Sequence, residues 1–561
     1  MNENLKNPSE EKFEKFVVML IASVAILVAV TAFLQNYASN LSDEANRTAQ
    51  KYAIDSTTKE IGGTIQYSFD WQGAFQTWNE VDMQRVAATQ SDNTTLADRY
   101  GKLEKHLVPL TPLLSKPYFD ESSNWPNTTK YAADLYVVEA TRLSELYEAY
   151  SELGRAWNDT ADAFVIQITL LTVALSLYGL SLTLNGRVRW LFILVGSGLV
   201  AFCMGWMALE LIVPRPIVSE DAIKAYTEGY GLSYQGKYQD AITSYDQALG
   251  IKPDYANAFY ERGSAYLALD DYDHAISDYL SARDLGLDSI NTQWNLGWTY
   301  YLQGDFDKAI ATNETIIASN PTVIGMRMNQ ALTYLVQGNF DEAQRQYDVL
   351  VNEVQREIAD AHANNQEPSA SLWYYMDAAS LDLQNLVDKL DGDTKSWTQA
   401  PEADLITADH GTIKQIARKE IARLKETTLA LEYTGKLPPT AEVMKVSPFA
   451  FGDITLGSDG YVSDFKEHKD AVFAFETPAV TIRFVYDGPL PKEQLLWKFY
   501  LNGSEYSSFR SLWDTDLSGS DTWYKTVGFN YTNVFILPAG EYTVELYADY
   551  HLVQTGKFYV R

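Results

Sequence analysis

Four alanines stand 34 residues apart: Ala241, Ala275, Ala309 and Ala343. Around each the same order of residue types returns. An aromatic precedes it by three positions, at Tyr238, Tyr272, Phe306 and Phe340. A turn-forming residue precedes it by five, at Gly236, Asp270, Gly304 and Gly338. A small residue precedes it by twelve, at Gly229, Gly263, Gly297 and Ala331. Pro253, Leu287 and Pro321 follow twelve positions after the first three. A fixed period of this length means a stack of identical helical units, because one unit alone cannot bury its apolar face. Small residues let two helices cross closely, the aromatics are expected to fill the gap between them, and proline ends the second helix.

This order of small, aromatic and proline positions resembles the tetratricopeptide repeat. The stretch WNLGWTYYLQGDFDKAIATNETIIASNP is close to that family's consensus. The resemblance covers residues 221–354 as four repeats. It implies an α-solenoid whose first helices line a concave groove for a protein or peptide partner. Carried over position by position, the groove would show Tyr226, Tyr230, Tyr260, Asn257, Trp294, Asn295, Trp298, Tyr301 and Asn329. Asn295 and Asn329 stand where family members often bond a peptide backbone. The lysine-rich clamp that some members use for a terminal carboxylate is missing. An aromatic surface with amide donors suits an extended peptide or a helix. Residues 355–434 read as capping helices, and the chain's own helices are the competing occupant of the groove.

Three apolar runs bound the rest of the architecture. Residues 17–34, 164–184 and 190–213 each approach the length that spans a bilayer, about 20 residues. The first is longer than a usual signal-peptide core and reads as an uncleaved anchor. Only residues 185–189 separate the second run from the third, and they include Arg187 and Arg189. Short loops rich in arginine and lysine face the cytoplasm. That places residues 1–16, with Lys6, Lys12 and Lys15, on the same side. Residues 35–163 and everything after Val213 are then extracytoplasmic. Ser197, Ala201 and Gly205 in the third run, and Ala22, Ala25, Ala29 and Ala32 in the first, are the expected seams of a three-helix bundle. Residues 35–163 read as helices continuing outward as a bundle.

After a proline-bearing linker at 435–446 the apolar period changes from 3.6 to 2. Residues 447–561 are expected to form an all-β sandwich, with Asn502-Gly503 as a hairpin turn. Its ending loosely resembles immunoglobulin-like modules of bacterial surface proteins. The fold class is therefore multidomain: three transmembrane helices with a helical extramembrane bundle, an α-solenoid and a C-terminal β-sandwich.

Composition trims the functions available. With 74 acidic and 44 basic residues the net charge is −30, which repels phosphate backbones and argues against nucleic acid. Cys203 is the lone cysteine, so no disulfide forms within the chain. No HExxH, GxSxG or phosphate-binding glycine loop occurs, and the six histidines are far apart. The stretch from Asp514 fits half of a calcium loop, but Lys525 stands where its closing glutamate belongs. The chain reads as a non-catalytic bacterial cell-envelope scaffold without cofactor or metal. The competing reading is a carbohydrate-binding or enzyme-accessory protein, with Trp497, Trp513 and Trp523 as a sugar platform.

Overall fold

The computed structural model describes residues 8–91, 93–121, 124–184, 186–320, 324–392, 399–434, 444–456, 462–474, 477, 479–487, 495–505, 511–513, 522–527, 537 and 539–561. The chain divides into two compact units, Met1–Leu269 and Asp270–Arg561.

The first unit is built on a long helical hairpin. Its elements are α1 (Pro8–Ser68), α2 (Gln76–Gln90), α3 (Thr94–Leu107), a two-strand ribbon β1 (Phe119–Asp120) and β2 (Trp125–Pro126), α4 (Thr128–Ala132), α5 (Val138–Thr183) and α6 (Val188–Ile212). Then come α7 (Glu220–Tyr234), α8 (Tyr238–Ile251) and α9 (Ala256–Ala268). Val17, Val24, Thr31, Ala38 and Ala45 are buried at strict intervals of seven. A second row, Ser42, Ala49 and Gly63 with half-buried Ser56, runs beside it. This is a heptad seam, and α5 lies along it. Small residues bring the two backbones close. Ser42 Oγ donates to the Gly154 carbonyl at 2.9 Å, and Ser56 Oγ to that of Ala140 at 2.9 Å. A Cβ on Gly63 would meet the Tyr136 side chain at 2.2 Å.

Two π-helical turns, Phe69–Phe75 and Ala133–Val137, interrupt the hairpin at the same end. There Phe75, Trp78, Leu113, Leu114 and Tyr131 make a separate aromatic core. At the other end α6 packs on α5 through Ile193, Gly196, Cys203 and Met207. Tyr178 lies over Gly196 and bonds Ser197 Oγ at 2.9 Å. Ala201, Gly205 and all four of Ala22, Ala25, Ala29 and Ala32 are exposed, so of the expected small-residue seams only Ser197 takes part in the packing. Within the apolar run of α1, Val17, Val24 and Thr31 take that place. Among the described residues, stretches of α1, α5 and α6 are long and apolar enough to cross a membrane.

The second unit opens with α10 (Tyr272–Asp284), α11 (Ile290–Gln303), α12 (Phe306–Ser319), α13 (Ile324–Gln337), α14 (Phe340–Ala363), α15 (Ala370–Leu390) and α16 (His410–Thr434). The periodic positions now have physical reasons. Gly236, Asp270, Gly304 and Gly338 all have positive φ, at 73°, 59°, 88° and 87°, and each sits in the turn after the first helix of a repeat. Asp270 pays steric strain of about 1 kcal/mol for a conformation glycine adopts freely. The four alanines are fully buried. The aromatics three before them are only half-buried. The gap between the two helices is filled instead from four positions after each alanine, by Tyr245, Tyr279, Asn313 and Tyr347. Tyr245 lies against Gly229, and Asn313 against Gly297. The expected capping helices α15 and α16 pack on each other, α15 on α13 and α16 on α14, and so continue the stack as a further pair.

Eleven strands follow among the described residues: β3 (Lys445–Val446), β4 (Ala450–Leu456), β5 (Val462–Glu467), β6 (Val472–Phe473), β7 (Val480–Asp487), β8 (Leu495–Leu501), β9 (Ser504–Glu505), β10 (Ser511–Trp513), β11 (Thr522–Val527), β12 (Gly540–Ala548) and β13 (His551–Val560). They form two sheets, ordered β10-β8-β12-β13-β6 and β11-β7-β4-β5, with β9 added on β8 and β3 on β7. Residues of both sheets share one buried cluster around Trp497. Asn502 and Gly503, with φ of 51° and 85°, make the β8–β9 hairpin turn.

The C-terminal sheets also lean on a helix. Leu429 and Ala430 of α16 share an apolar cluster with Leu496, Tyr547 and Tyr550. Lys425 pairs with Glu545, whose side chain is buried, and Tyr547 donates its hydroxyl to the same carboxylate at 2.7 Å. Most of the expected linker lies outside the described residues.

Candidate binding faces of the repeats

In the first unit, α5 lies along α7. A Cβ on Gly231 would meet Val138 Cγ2 at 2.4 Å, so the glycine is what admits α5. Leu146 enters the apolar cluster of α7, α8 and α9, among Tyr226, Tyr245 and Tyr255. At the neighbouring residue on α5 the contact becomes polar. Tyr255 donates its hydroxyl to Glu145 Oε2 at 2.6 Å, and Asn257 Nδ2 donates to Glu145 Oε1 at 2.9 Å. Glu148 accepts from the same amide at 3.4 Å.

Burial pushes the Glu145 carboxyl up to about 7. The bonds from Tyr255 and Asn257 oppose this, the Glu148 charge adds to it, and Lys252 opposes it. Glu261 on α9 also rises to about 7, through burial and then through the neighbouring charge of Glu145. Tyr226 is raised well above its ordinary value by burial and by the same two carboxylates. The inner face of these repeats is therefore an acidic, tyrosine-lined surface against which the chain lays its own helix.

In the second unit the Trp294 indole stacks on Tyr375 of α15, centroids 6.0 Å apart. It also covers Gly325, where a Cβ would meet the ring at 1.8 Å. Trp298 stacks on Tyr301 at 4.9 Å. Asp382 of α15 is pushed up to about 7 by burial; Tyr301 and Tyr347 are raised well above their ordinary value by burial first, then Tyr301 by the Asp382 charge and Tyr347 by those of Glu420 and Asp382.

The nominated groove residues divide sharply. Tyr226, Tyr301 and Asn329 are buried at 4%, 1% and 4% exposure, so they build the core and present nothing to a ligand. Tyr230, Tyr260, Trp294, Asn295 and Trp298 remain half-buried. Asn257 is taken by Glu145 and Trp294 by Tyr375. The sequence reading missed Glu145, Tyr255 and Glu261. Tyr255 carries a weak signal, because it follows the repeat's proline by two positions. Glu145 carries none, being one acid among several on a long helix.

Residues 229–270 match a family model described as TPR repeat, and residues 292–322 and 327–348 match models described as tetratricopeptide repeat. The chain carries tetratricopeptide repeats. No curated protein matches the chain. Among solved structures it is similar to YrrB, a TPR protein with an unusual peptide-binding site, at 14% identity. That overlap covers 38% of this chain and 92% of YrrB, with a TM-score of 0.24. It is also similar to the alkylpurine DNA glycosylase AlkC of Pseudomonas fluorescens bound to DNA containing an abasic site analog, at 11% identity. There it covers 76% of this chain and 99% of that one, with a TM-score of 0.19. At scores this low neither likeness bears on activity.

The sugar platform loses its first member. Trp497 is fully buried between the two sheets. The side chains of Trp513 and Trp523 lie outside the described residues, as does most of the calcium-like loop.

Proposed function

We propose that this chain is a membrane-anchored, non-catalytic scaffold that holds a protein or peptide partner on its tetratricopeptide repeats. The observation that carries the binding half is the half-buried Trp298 on α11, the first helix of a repeat. An indole there offers a partner apolar area of the kind that anchors interfaces. Tyr226, Tyr301 and Asn329 are core, Asn257 and Trp294 are engaged by the chain itself, and Tyr230 and Tyr260 remain half-buried.

The anchoring half rests on the apolar stretches of α1, α5 and α6. Charge and aromatic residues mark both ends of that stretch. At one end the Arg189 guanidinium lies 4.0 Å over the Phe13 ring, beside Trp190. At the other, Trp206 donates to Glu210 at 3.1 Å, Arg215 pairs with Glu210 at 3.5 Å, and Arg215 lies over Trp157. Such girdles suit the two interfaces of a bilayer. On this reading residues 185–189 are cytoplasmic. The helical hairpin, the repeats and the C-terminal sheets, read as an immunoglobulin-like sandwich, are extracytoplasmic.

Two experiments test the two halves. Protease added to intact cells should degrade the chain beyond Val213 and spare the N-terminus; a protected repeat region reverses the orientation. In-membrane cross-linking followed by mass spectrometry should name a polypeptide whose yield falls at least tenfold in Trp298→Ala. An unchanged yield removes the repeats from the binding role.

A further inference from the structure

The repeats of the second unit hold a carboxylate that no other group answers. Asp382 on α15 is recessed but not sealed in. Among the described residues neither a hydrogen-bond donor nor a cation reaches it, and burial alone raises its acid. The cations of the surrounding helices are engaged elsewhere. Arg327 of α13 pairs with Glu353 at 3.1 Å, Arg423 of α16 with Asp348 at 2.6 Å, and Lys389 of α15 with Glu402 at 2.6 Å. A recessed carboxylate left unpaired costs stability. Its surroundings are aromatic. The stack of Trp294 on Tyr375 ties α11 to α15. Asp382 follows Tyr375 by seven residues, two turns along the same face, and Tyr301 follows Trp294 by seven. Two helices later in an alternating stack, α15 runs the same way as α11. Asp382 therefore comes level with Tyr301, whose hydroxyl feels its charge. Half-buried Trp298, stacked on Tyr301, stands on the α11 side, and small Ala378, one turn before Asp382, on the α15 side. The slot thus has the Trp294–Tyr375 stack at one end and an open carboxylate at the other.

We propose that this slot takes a basic side chain, lysine or arginine, of the polypeptide held on the repeats, with its cationic head on the Asp382 carboxylate and its alkyl stem along the Trp298 indole. Asp382 thereby selects the charge of the partner, and the site rests on the binding role proposed above. Charge complementarity chooses the occupant. An ammonium or guanidinium donates charge-assisted hydrogen bonds to a carboxylate and removes the cost of leaving it unpaired. An aromatic ring face attracts the same cations. Both basic side chains carry a long apolar stem that lies along an indole while the head reaches a polar end. An acidic side chain would set like charge beside an unpaired acid, and a neutral apolar one would cover that acid without pairing it. The slot is thus opposite in sign to the lysine-rich clamp that this chain lacks.

The test titrates the full chain in lipid nanodiscs at pH 8 and low salt, by calorimetry, with acetylated tripeptide amides carrying lysine, arginine, norleucine or glutamate between two alanines. The lysine or the arginine peptide should bind at least tenfold more tightly than the norleucine and glutamate peptides, and Asp382→Asn should abolish the difference. That variant removes one of 74 acidic residues, so the general attraction of cations to an acidic chain survives it and is read separately. Norleucine bound as tightly as both basic peptides, or a preference kept by Asp382→Asn, overturns the proposal. Asp382→Asn should melt no lower than wild type at pH 8, because it removes an unpaired charge; a lower melting temperature makes the carboxylate structural and overturns the site. In the cross-linking experiment above, Asp382→Asn should lower the yield of the captured polypeptide at least tenfold, as Trp298→Ala does. Loss in Trp298→Ala with full yield in Asp382→Asn overturns the basic side chain and keeps the binding role. Full yield in both overturns the binding role and this site with it.

Discussion

Tyr255 donates its hydroxyl to Glu145 at 2.6 Å, joining the first turn of a repeat to a helix 110 residues earlier in the chain. The bond is where the hairpin and the repeats of the first unit meet in polar rather than apolar contact, and it sits beside a second carboxylate, Glu261.

That pairing gives the first unit a pH dependence. Both carboxyls have folded values raised to about 7, above the ordinary carboxylate range. A raised acid binds its proton more tightly when folded, so the stabilisation is complete below about pH 4.3 and is lost as pH rises through 7. The melting temperature of the full chain in detergent should fall between pH 5 and pH 8. Glu145→Gln, which keeps an acceptor for Tyr255, should flatten that slope. An equal slope in the variant would assign the dependence elsewhere.

Trp294 and Trp298 should separate. Trp294 covers Gly325 and stacks on Tyr375, so Trp294→Ala leaves a cavity and should cost about 3 kcal/mol. Trp298→Ala should cost under about 1.5 kcal/mol, because the half-buried indole stacks on Tyr301 of its own helix rather than filling a gap to a neighbouring one. Urea unfolding followed by circular dichroism compares them; a larger loss at Trp298 would make it core.

Glu545 is 1% exposed, and Lys425 is its cationic partner. Removing one member of such a pair strands a buried charge at a cost of about 3–5 kcal/mol. Lys425→Met should therefore destabilise the C-terminal sheets strongly, and adding Glu545→Gln should recover most of the loss. A double variant no better than the single would show that the lysine acts through its stem.

Gly229→Ala tests the repeat's small position. The added methyl would meet the Tyr245 ring at 2.7 Å, and Tyr245 is fully buried. Overpacking of this kind costs about 1–3 kcal/mol. A melting temperature equal to wild type would mean that the ring yields.

Repeats are legible because their constraints fall on single positions. A left-handed turn selects glycine, and a close crossing selects alanine, so the period survives at 34-residue spacing. What fills the crossing is less legible: Tyr245, Tyr279, Asn313 and Tyr347 do the same work with different chemistry. The hairpin misled for a related reason. Ala22, Ala25, Ala29 and Ala32 look like a seam because small residues often make one. Yet any apolar residue serves within an apolar run, and the face against α5 was settled by Val17, Val24 and Thr31 continuing a register set further along the helix. Glu145 was invisible, since a glutamate on an amphipathic helix is ordinarily solvated. Only the arrival of Tyr255 and Asn257, more than a hundred residues later, makes it a contact. Trp497 illustrates the opposite failure, an aromatic credited with surface chemistry while sitting in the core.

The heptad register from Val17 to Gly63 runs without insertion, and that makes the hairpin a ruler. Adding one residue to α1 would turn everything beyond it by about 100° and lift it by about 1.5 Å. Ser42 and Ser56 would then lose the carbonyls of Gly154 and Ala140 together. Only whole heptads, about 10.5 Å at a time and matched in α5, keep both faces of the helix aimed as they are. The distance from the apolar stretch to the aromatic tip is thus quantised, and natural variants of this chain should differ in hairpin length by sevens.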